Sequence, residues 1–540
     1  MKLKFYLFLG ITFIIINLGL GSWGLTESSE ARYAEISREM VLSGDYVHPR
    51  LLEIQHFHKP PLTYYITSLG YQIFGINEFG ARFFLQVCLL LQLILIYKIA
   101  ELLFKNEKVA FYSAVIYLSF PLVLIATRNL TTDAYLVALI LASIYSWLVY
   151  KKKEKLLALY ACYFFMGLGF LNKGPVIILP VLVFTIPWKI IFKEKWRLTI
   201  HHVLGFALFA LVSASWFIVI IREMPELWNY FFQKHTVDRA ISAEKFHRDQ
   251  PFWYFFALAP AVGLPWFIYS LILLFKNYKK QTTGFNKEIQ ALMWSGGLLF
   301  LMFSAFSSKL ILYILPVFPM VAMIGGFYLH QISEGFQKAF IRTYYILIAL
   351  VLLALAVLPF FGVLQLSWIS RLLVIALIGG FTVVLWRRSS GNRLLMGLTY
   401  VFTTMVLISF AMVGNQNPYL INTTKALVEK LKADGLDDAK NIVIYDQRLS
   451  STAYYLDRPT VTVHYDRYNT NREVQFEQNE RYQNYYLDIN EENDWTRFKR
   501  MLEEEDNVFI LKGRTTLPGE LQTLLESKQM DEAGKWKIYY

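Results

Sequence analysis

The chain has 540 residues, of which 55% are hydrophobic and 17% charged, and its mean hydropathy is +0.38. This composition excludes an ordinary soluble globular protein and indicates a polytopic membrane protein. The net charge of +12 at pH 7 is explained first by lysines and arginines in cytoplasmic loops, so we expect no nucleic acid partner.

Apolar runs along the chain predict about thirteen membrane-spanning helices, each needing about 20 mostly apolar residues. No A-x-A-like cleavage site follows the first run, so we interpret it as a retained span and not as a signal peptide. The predicted spans lie near residues 5–24, 83–104, 109–126, 134–150, 156–171, 175–192, 203–221, 253–275, 288–305, 310–330, 343–365, 371–386 and 394–413.

The basic loop clusters predict the orientation of these spans. With the N-terminus in the cytoplasm, every even-numbered span ends in a basic cluster, as at residues 151–155 and 387–393. The positive-inside rule requires this pattern. The segments 25–82 and 222–252, and everything after about residue 414, are then predicted to lie on the outer face.

The composition changes after residues 415–418, which predicts a transmembrane domain over 1–415 and a soluble α/β domain over 416–540. We interpret the stretch 466–494, which has no clear periodicity, as a long loop. The patterns that predict alternating elements are helix-like at 425–434, 450–456, 496–505 and 519–527 and strand-like at 441–445, 460–465, 507–512 and 535–540.

The first outer loop is rich in carboxylates and is too long for a simple turn. Ser28 or Ser29 is predicted to cap a helix that ends at Ser43-Gly44-Asp45. A second, amphipathic helix is predicted over 62–74, so we expect two helices along the membrane surface.

Several ionisable residues of the outer face are candidates for chemistry. Asp133, at the mouth of the fourth span, is either a helix N-cap or a functional carboxylate. Lys59, Lys173 and Lys309 run against the positive-inside tendency; snorkelling explains such lysines, and so does a phosphate bound on this face. These residues predict a site for an anionic substrate.

The histidines of the outer loops leave two interpretations open. His58 or His56, with His235 and a carboxylate, would form a divalent metal site, although the spacing is far from any compact ligand motif. Ordinary packing also explains a lone histidine. No other cofactor is implied by the residues.

Six segments then resemble a known family in the same order along the chain. They are EARYAEISREMVLSGDYVHPRL, FHKPPLTYY, TTDA, LNKGPV, KHTVDR with QPFWYF, and SKLILYILP. Together they resemble the ArnT-like branch of the membrane glycosyltransferases with the GT-C fold. That branch includes aminoarabinose transferases that modify lipid A and is related to the protein O-mannosyltransferases. The resemblance covers nearly all of residues 1–415.

The resemblance implies a mainly α-helical GT-C membrane domain followed by a periplasmic α/β domain, in a multi-pass protein of the bacterial inner membrane. It implies transfer of a sugar from a polyprenyl (undecaprenyl) phosphate carrier to a lipid A-like lipid, a glycan or a protein. Direct displacement of the lipid phosphate would invert the anomeric centre. The membrane lipids and the carrier are the expected partners.

Two positions depart from the family pattern. Ser29 stands where the family usually has an aspartate, which leaves Glu30 as the nearest carboxylate, with Glu27 behind it. His58 stands where a glutamate commonly precedes Lys-Pro-Pro, and histidine keeps the capacity to bind a metal. Both departures concern the acceptor more than the donor.

These considerations assign a role to each candidate residue. The catalytic carboxylate is Glu30 or Asp133, which would orient or deprotonate an acceptor hydroxyl. The cations predicted to bind the donor phosphate are Arg32, Lys59, Lys173 and Lys309. The residues predicted to bind substrate, all within the resembling segments, are Tyr33, Glu35, Tyr313 and Arg239. A metal, if bound, is assigned to His58 and His235.

Two other classes of protein compete with the enzyme. A transporter or flippase for a lipid-linked sugar predicts charges near mid-membrane and paired repeats, whereas here the charges collect at one face. A non-catalytic subunit of envelope-polysaccharide assembly would leave Glu30, Lys59 and Asp133 replaceable. Activity after substitution therefore separates this second alternative from the enzyme.

Overall fold

We describe the protein from a computed structural model, which covers residues 2–27, 29–231, 250–279, 285–329, 332–388, 391–466, 474–477 and 480–540. The chain divides into two compact units. The first unit consists of residues 1–20, 60–63 and 83–413. The second consists of residues 21–59, 64–82 and 414–540. The domain boundary between residues 415 and 416 stays a prediction.

The first unit is a bundle of apolar helices, as expected where backbone polar groups must be satisfied without water. Within the described ranges, nine helices are long and apolar enough to cross a membrane. These nine are Glu78–Phe104, Thr132–Lys153, Leu156–Lys173, Ile200–Glu223, Lys287–Ala305, Ile311–Tyr328, Glu334–Phe361, Trp368–Arg387 and Gly391–Gln416.

Two further spans are bent pairs of helices. Glu107–Leu118 and Pro121–Arg128 meet at 64°, and Tyr254–Val262 and Trp266–Tyr278 meet at 106°. Pro121 starts the second helix of the first pair, where its missing N–H leaves no intrahelical bond unmade. Counting each pair as one span gives up to eleven spans among the described residues.

The two remaining predicted spans correspond to shorter helices, Lys2–Asn17 and Pro175–Ile191. The span predicted over 5–24 was too long at its C-terminal end, because the helix stops at Asn17. At about 1.5 Å per residue such a helix falls short of the roughly 30 Å hydrocarbon core. Each predicted apolar run is thus helical, and the multi-pass helical fold is confirmed.

The second unit begins with the first outer loop. Its helices, Ser29–Ser43 and Leu62–Phe74, end where the sequence predicted. A short antiparallel hairpin that the sequence did not predict lies between them, formed by β1 (Arg50–Leu51) and β2 (Ile54–Gln55).

The C-terminal part of the second unit is an α/β layer structure, as predicted. Its six-stranded sheet has the order β5-β4-β3-β6-β8-β7, in which the first four strands are parallel and β8 is antiparallel to β6 and β7. The strands are β3 (Asn441–Tyr445), β4 (Val461–His464), β5 (Tyr486–Asp488), β6 (Asn507–Lys512), β7 (Met530–Ala533) and β8 (Trp536–Tyr539). The helices are Lys425–Ala433, Ser450–Leu456, Glu492–Glu503 and Glu520–Glu526.

Central strands of this sheet are apolar on both faces because helices cover both. In β3, Val443 belongs to one apolar cluster and Ile442 and Ile444 to the other. The sequence missed β5 and β7, and its long loop over 466–494 was wrong in the part that forms β5.

Candidate functional site

A carboxylate, an ammonium group and a phenol meet in the first unit. Asp133 is 8% exposed and its Oδ1 accepts a hydrogen bond from Lys173 Nζ at 2.5 Å. The same Nζ lies 4.7 Å from the ring centroid of Tyr313, within the range of a cation–π interaction. Three of the residues predicted from sequence are therefore brought together.

Helix ends set the geometry of this cluster. Asp133 is in the first turn of the helix Thr132–Lys153, where the helix dipole favours a negative charge. The N-cap is Thr131, whose side chain accepts from the Asp133 N–H, so Asp133 is not itself the cap. Its Oδ2 accepts no hydrogen bond from the described part of the chain.

Lys173 is the last residue of the helix Leu156–Lys173. Gly174 follows at φ +79°, a conformation that glycine adopts without strain, and Pro175 then starts a 3₁₀ turn. This glycine–proline pair turns the chain directly after the lysine, so Lys173 projects from a helix end.

Asn172, which was not predicted from the sequence, forms hydrogen bonds to two other segments near this cluster. It is fully buried, donates to the Thr132 carbonyl at 2.8 Å and accepts from Thr63 Oγ1 at 2.7 Å. An asparagine that directly precedes a predicted functional lysine in an apolar segment is the sequence signal that would have identified it.

Lys309 is also in the first unit and is only 3% exposed. Its Nζ donates to the Gln250 carbonyl at 2.6 Å. Burial of an ammonium group is costly unless it is hydrogen-bonded, so this contact accounts for part of its stability there.

In the second unit Glu30 forms a buried ion pair with Arg82. Arg82 donates from Nε to Glu30 Oε1 at 2.7 Å and from Nη2 to Oε2 at 2.9 Å. Thr26 donates to Oε2 through both its N–H and its hydroxyl, at 2.8 and 2.9 Å. Both carboxylate oxygens of Glu30 are therefore engaged by the protein itself.

Arg82 was not predicted as important. Its side chain is completely buried, its remaining donors reach the carbonyls of Trp23 and Gly24, and its guanidinium lies 4.4 Å from the Trp23 ring. An arginine directly before an apolar run is the sequence signal that would have identified it.

The other predicted residues of helix Ser29–Ser43 are also mostly buried. Glu35 is 1% exposed and accepts two hydrogen bonds from Arg38, both at 2.8 Å. Burial nevertheless raises the pKa of Glu35 above its usual value, against the effect of Arg38. Tyr33 packs against another tyrosine ring, and Arg32 is half-buried with its guanidinium 5.7 Å from the Tyr33 ring.

The segment that leads to Lys59 follows β2. His56 is buried, and its ring lies 4.2 Å from the half-buried His58 in an edge-on contact. His58 also contacts Phe476, with ring centroids 5.8 Å apart. Lys59 is half-buried.

The metal site stays a prediction. No group of three or more His, Cys, Asp or Glu residues is arranged for a metal within the described ranges. His235 and Arg239 fall in the segment 232–249, which lies outside the described residues, so neither the His58–His235 pair nor the binding role of Arg239 is tested.

Comparison with known families gives a match for residues 58–218. The matching family is described as dolichyl-phosphate-mannose-protein mannosyltransferase. This stretch contains Lys59, Asp133 and Lys173.

Two similar curated proteins come from Proteus mirabilis (strain HI4320). They are named undecaprenyl phosphate-alpha-4-amino-4-deoxy-L-arabinose arabinosyl transferase 1 and 2, and are 34% and 30% identical to this chain. The first alignment covers 62% of this chain and 60% of that protein, and the second covers 62% and 61%. The chain thus matches less than two thirds of the length of either relative.

The fold is similar to that of ArnT from Cupriavidus metallidurans. The crystal structure of that protein bound to undecaprenyl phosphate superposes with a TM-score of 0.78 at 22% identity, over 99% of this chain and 97% of the other. Its apo structure gives a TM-score of 0.77 at 21% identity. These likenesses establish the fold.

Proposed function

We propose that this chain, which has the fold of ArnT, is an ArnT-like enzyme that transfers a sugar from a polyprenyl-phosphate carrier to an acceptor at the periplasmic face of the bacterial inner membrane. The acceptor is a lipid A-like lipid, a glycan or a protein. The names of the Proteus mirabilis relatives support the carrier class, and so does the ArnT structure that contains undecaprenyl phosphate.

The observation that carries the proposal is the cluster of Asp133, Lys173 and Tyr313. A lipid-phosphate sugar contains its own leaving group, so an enzyme must chiefly bind the phosphate and orient the acceptor. The Lys173 ammonium is a positive charge held beside the Asp133 carboxylate, and an ammonium group is a suitable ligand for a phosphate oxygen. Tyr313 lies beside the same ammonium.

Asp133 is the carboxylate that we assign to the acceptor. Its Oδ1 is held by Lys173, while its Oδ2 is available to accept a proton or a hydrogen bond from an acceptor hydroxyl. Glu30 already accepts four hydrogen bonds from Arg82 and Thr26, so we place it outside the reacting groups. The sugar is transferred by direct displacement, with inversion at the anomeric carbon.

The other cations proposed to bind the donor phosphate are Lys59 and Arg32 in the second unit and Lys309 in the first. Cations gathered on the outer face stabilise the phosphate as negative charge develops on the leaving group. Lys309 binds the phosphate directly only if its ammonium group exchanges the hydrogen bond to the Gln250 carbonyl for one to a phosphate oxygen. Otherwise it stabilises the phosphate as a positive charge at a distance. The C-terminal α/β domain is proposed to lie in the periplasm.

The test is transfer of sugar by the purified protein in nanodiscs that contain a polyprenyl-phosphate sugar. The acceptor for this assay is identified by mass spectrometry. Envelope lipids, glycans and glycoproteins are compared between cells with and without the protein. A chain that binds the carrier but releases no lipid phosphate with any such acceptor contradicts the proposal.

Lys59→Ala is the first variant to measure in this assay. Loss of a charge-assisted hydrogen bond costs about 2–3 kcal/mol, so kcat/KM for the carrier is expected to fall roughly 30- to 150-fold. Lys59→Arg recovers only part of this, because the planar guanidinium differs in shape from the ammonium. The matched control is Lys440→Ala, a lysine of the exposed Lys440–Glu504 pair. Wild-type turnover by Lys59→Ala removes this lysine from the site.

A further inference from the structure

The turn between β1 and β2 has an unusual backbone for its residues. Leu52 and Glu53 connect the two strands, and their φ angles are +53° and +69°. A two-residue hairpin turn with both φ angles positive is normally made by Asn-Gly or a similar pair, because other side chains are strained there. The residues of this turn therefore do not by themselves favour its conformation.

The turn is held by a carboxylate from outside the hairpin. Glu39, on the helix Ser29–Ser43, is 9% exposed. Its Oε1 accepts from the Leu52 N–H at 2.6 Å, and the Glu53 N–H lies 3.4 Å from Oε1 and 3.3 Å from Oε2. Successive backbone N–H groups in such a turn form a concave site for acceptor oxygens, and here the Glu39 carboxyl oxygens fill it.

The ion pair made by the turn is weaker. Glu53 pairs with Arg481 at 2.9 Å, but the Arg481 side chain is 54% exposed. Exposed ion pairs contribute little to stability. The carboxyl group of Glu39 is accordingly the main polar interaction that compensates for the strain, in addition to the burial of the Leu52 side chain.

The hairpin fixes the start of the segment that carries Lys59. His56 donates its backbone N–H to the Pro49 carbonyl at 2.7 Å, directly after β2. Phe57 is fully buried and packs 5.5 Å from Phe476. Lys59 follows two residues later and precedes the rigid pair at 60–61. A change in the turn conformation would therefore shift the start of the segment from His56 to Lys59.

We propose that Glu39 is a positioning residue, whose carboxylate holds the Leu52–Glu53 turn in its left-handed form and thereby places Lys59 for the lipid phosphate. This inference rests on the proposed function, because it uses Lys59 as a phosphate ligand. It adds a residue that touches neither substrate nor the reacting atoms.

Two measurements on the full-length protein in nanodiscs test this role. Hydrogen exchange of the Leu52 and Glu53 amides reports the turn itself, and the Kd for undecaprenyl phosphate reports the placement of Lys59. In Glu39→Gln one acceptor oxygen is replaced by a donor, so exchange is expected to become about tenfold faster and the Kd about tenfold weaker. The control is Glu53→Gln, which removes the Arg481 pair and is expected to change neither.

The decisive variant restores the turn by other means. Adding Glu53→Gly to Glu39→Gln removes the strain of the positive φ at position 53 without the carboxylate, and it leaves the buried Leu52 side chain in place. We expect this double variant to recover slow exchange and most of the affinity. A residue that merely supported the fold of its own helix would not be rescued by a change in the turn.

Two results would overturn the inference. One is unchanged exchange and affinity in Glu39→Gln; the other is affinity that stays lost in the double variant although exchange is slow again. Failure of the proposed function looks different. In that case Lys59→Ala binds the lipid phosphate as well as the wild type does, while the exchange of the turn amides still depends on Glu39.

Discussion

At the scale of single residues, the second unit contains a buried ion pair between Glu30 and Arg82. The Glu30 and Arg82 side chains are both 0% exposed. Removing one partner of such a pair leaves an uncompensated buried charge, which costs about 3–5 kcal/mol, whereas removing both costs much less. Loss of activity in a single variant of Glu30 therefore does not distinguish a catalytic carboxylate from a structural one.

We predict that Glu30→Gln destabilises the protein by about 3 kcal/mol and that adding Arg82→Met recovers both stability and turnover. Thermal unfolding in detergent and sugar transfer are measured on the same preparations. A double variant that is stable but inactive would show instead that Glu30 has taken over the role of the family's missing aspartate at position 29.

For Asp133 a catalytic effect beyond the loss of stability is expected. Asp133→Asn keeps the shape of the side chain but removes the negative charge paired with the mostly buried Lys173, so the melting temperature falls, and turnover measured well below that temperature falls by at least about 100-fold. Asp438→Asn, at an exposed position of the C-terminal domain, is the matched control and keeps full turnover. If Asp133→Asn transfers sugar at the wild-type rate, the assignment of the acceptor carboxylate is wrong.

At the scale of elements, the helix Ser29–Ser43 is distinctive because it buries acids. Burial raises the pKa of Glu39 well above its ordinary value, and the carboxylates of Glu35 and Glu53 raise it further. Arg38 on the same helix acts in the opposite direction. The helix is therefore expected to be most stable when one of these carboxyl groups is protonated.

The pH dependence of stability follows from this shift. Because the folded protein binds a proton at Glu39 more tightly than the unfolded chain does, the free energy of unfolding falls as the pH rises from about 4.5 through the folded pKa. We expect a higher melting temperature near pH 5 than near pH 7.5, with about 1.4 kcal/mol for each unit by which the pKa is raised.

Glu39→Gln should flatten this dependence, and the exposed Glu503→Gln should leave it as in the wild type. Melting temperatures across the pH range give the comparison. A wild-type melting temperature that rises with pH, or an equal slope in Glu39→Gln, contradicts the direction given for this group.

At the scale of the whole molecule, the basic loop clusters predict which face is cytoplasmic. Cys88 and Cys162 are both buried, so single cysteines can be added to the wild-type chain with little background labelling. We predict that Lys153→Cys is reached by a membrane-impermeant maleimide only after permeabilisation, and Asp438→Cys in intact spheroplasts. Both positions are exposed. The reverse pattern would place the proposed site on the cytoplasmic face.

Much of the fold was predictable because its signals are local. Long apolar runs marked the long helices of the first unit, and short patterns of five to seven residues marked β3, the helix Ser450–Leu456 and β6 at their observed bounds. The strands β5 and β7 were not predicted, because they are short and contain polar residues. Such segments become strands only because neighbouring strands of the sheet pair with them.

The sequence by itself determined the class of the protein, the apolar helices and the ionisable residues among which the candidate site is found, since composition and hydropathy are read from each stretch of the chain alone. The tertiary structure decided which charged side chains form ion pairs with each other. Asp133 meets Lys173 forty residues away, and Glu30 meets Arg82 at a separation of 52 residues. Partners of this kind leave no periodic signal in the chain, because a carboxylate finds its cation only after both have been buried by the packing of other elements.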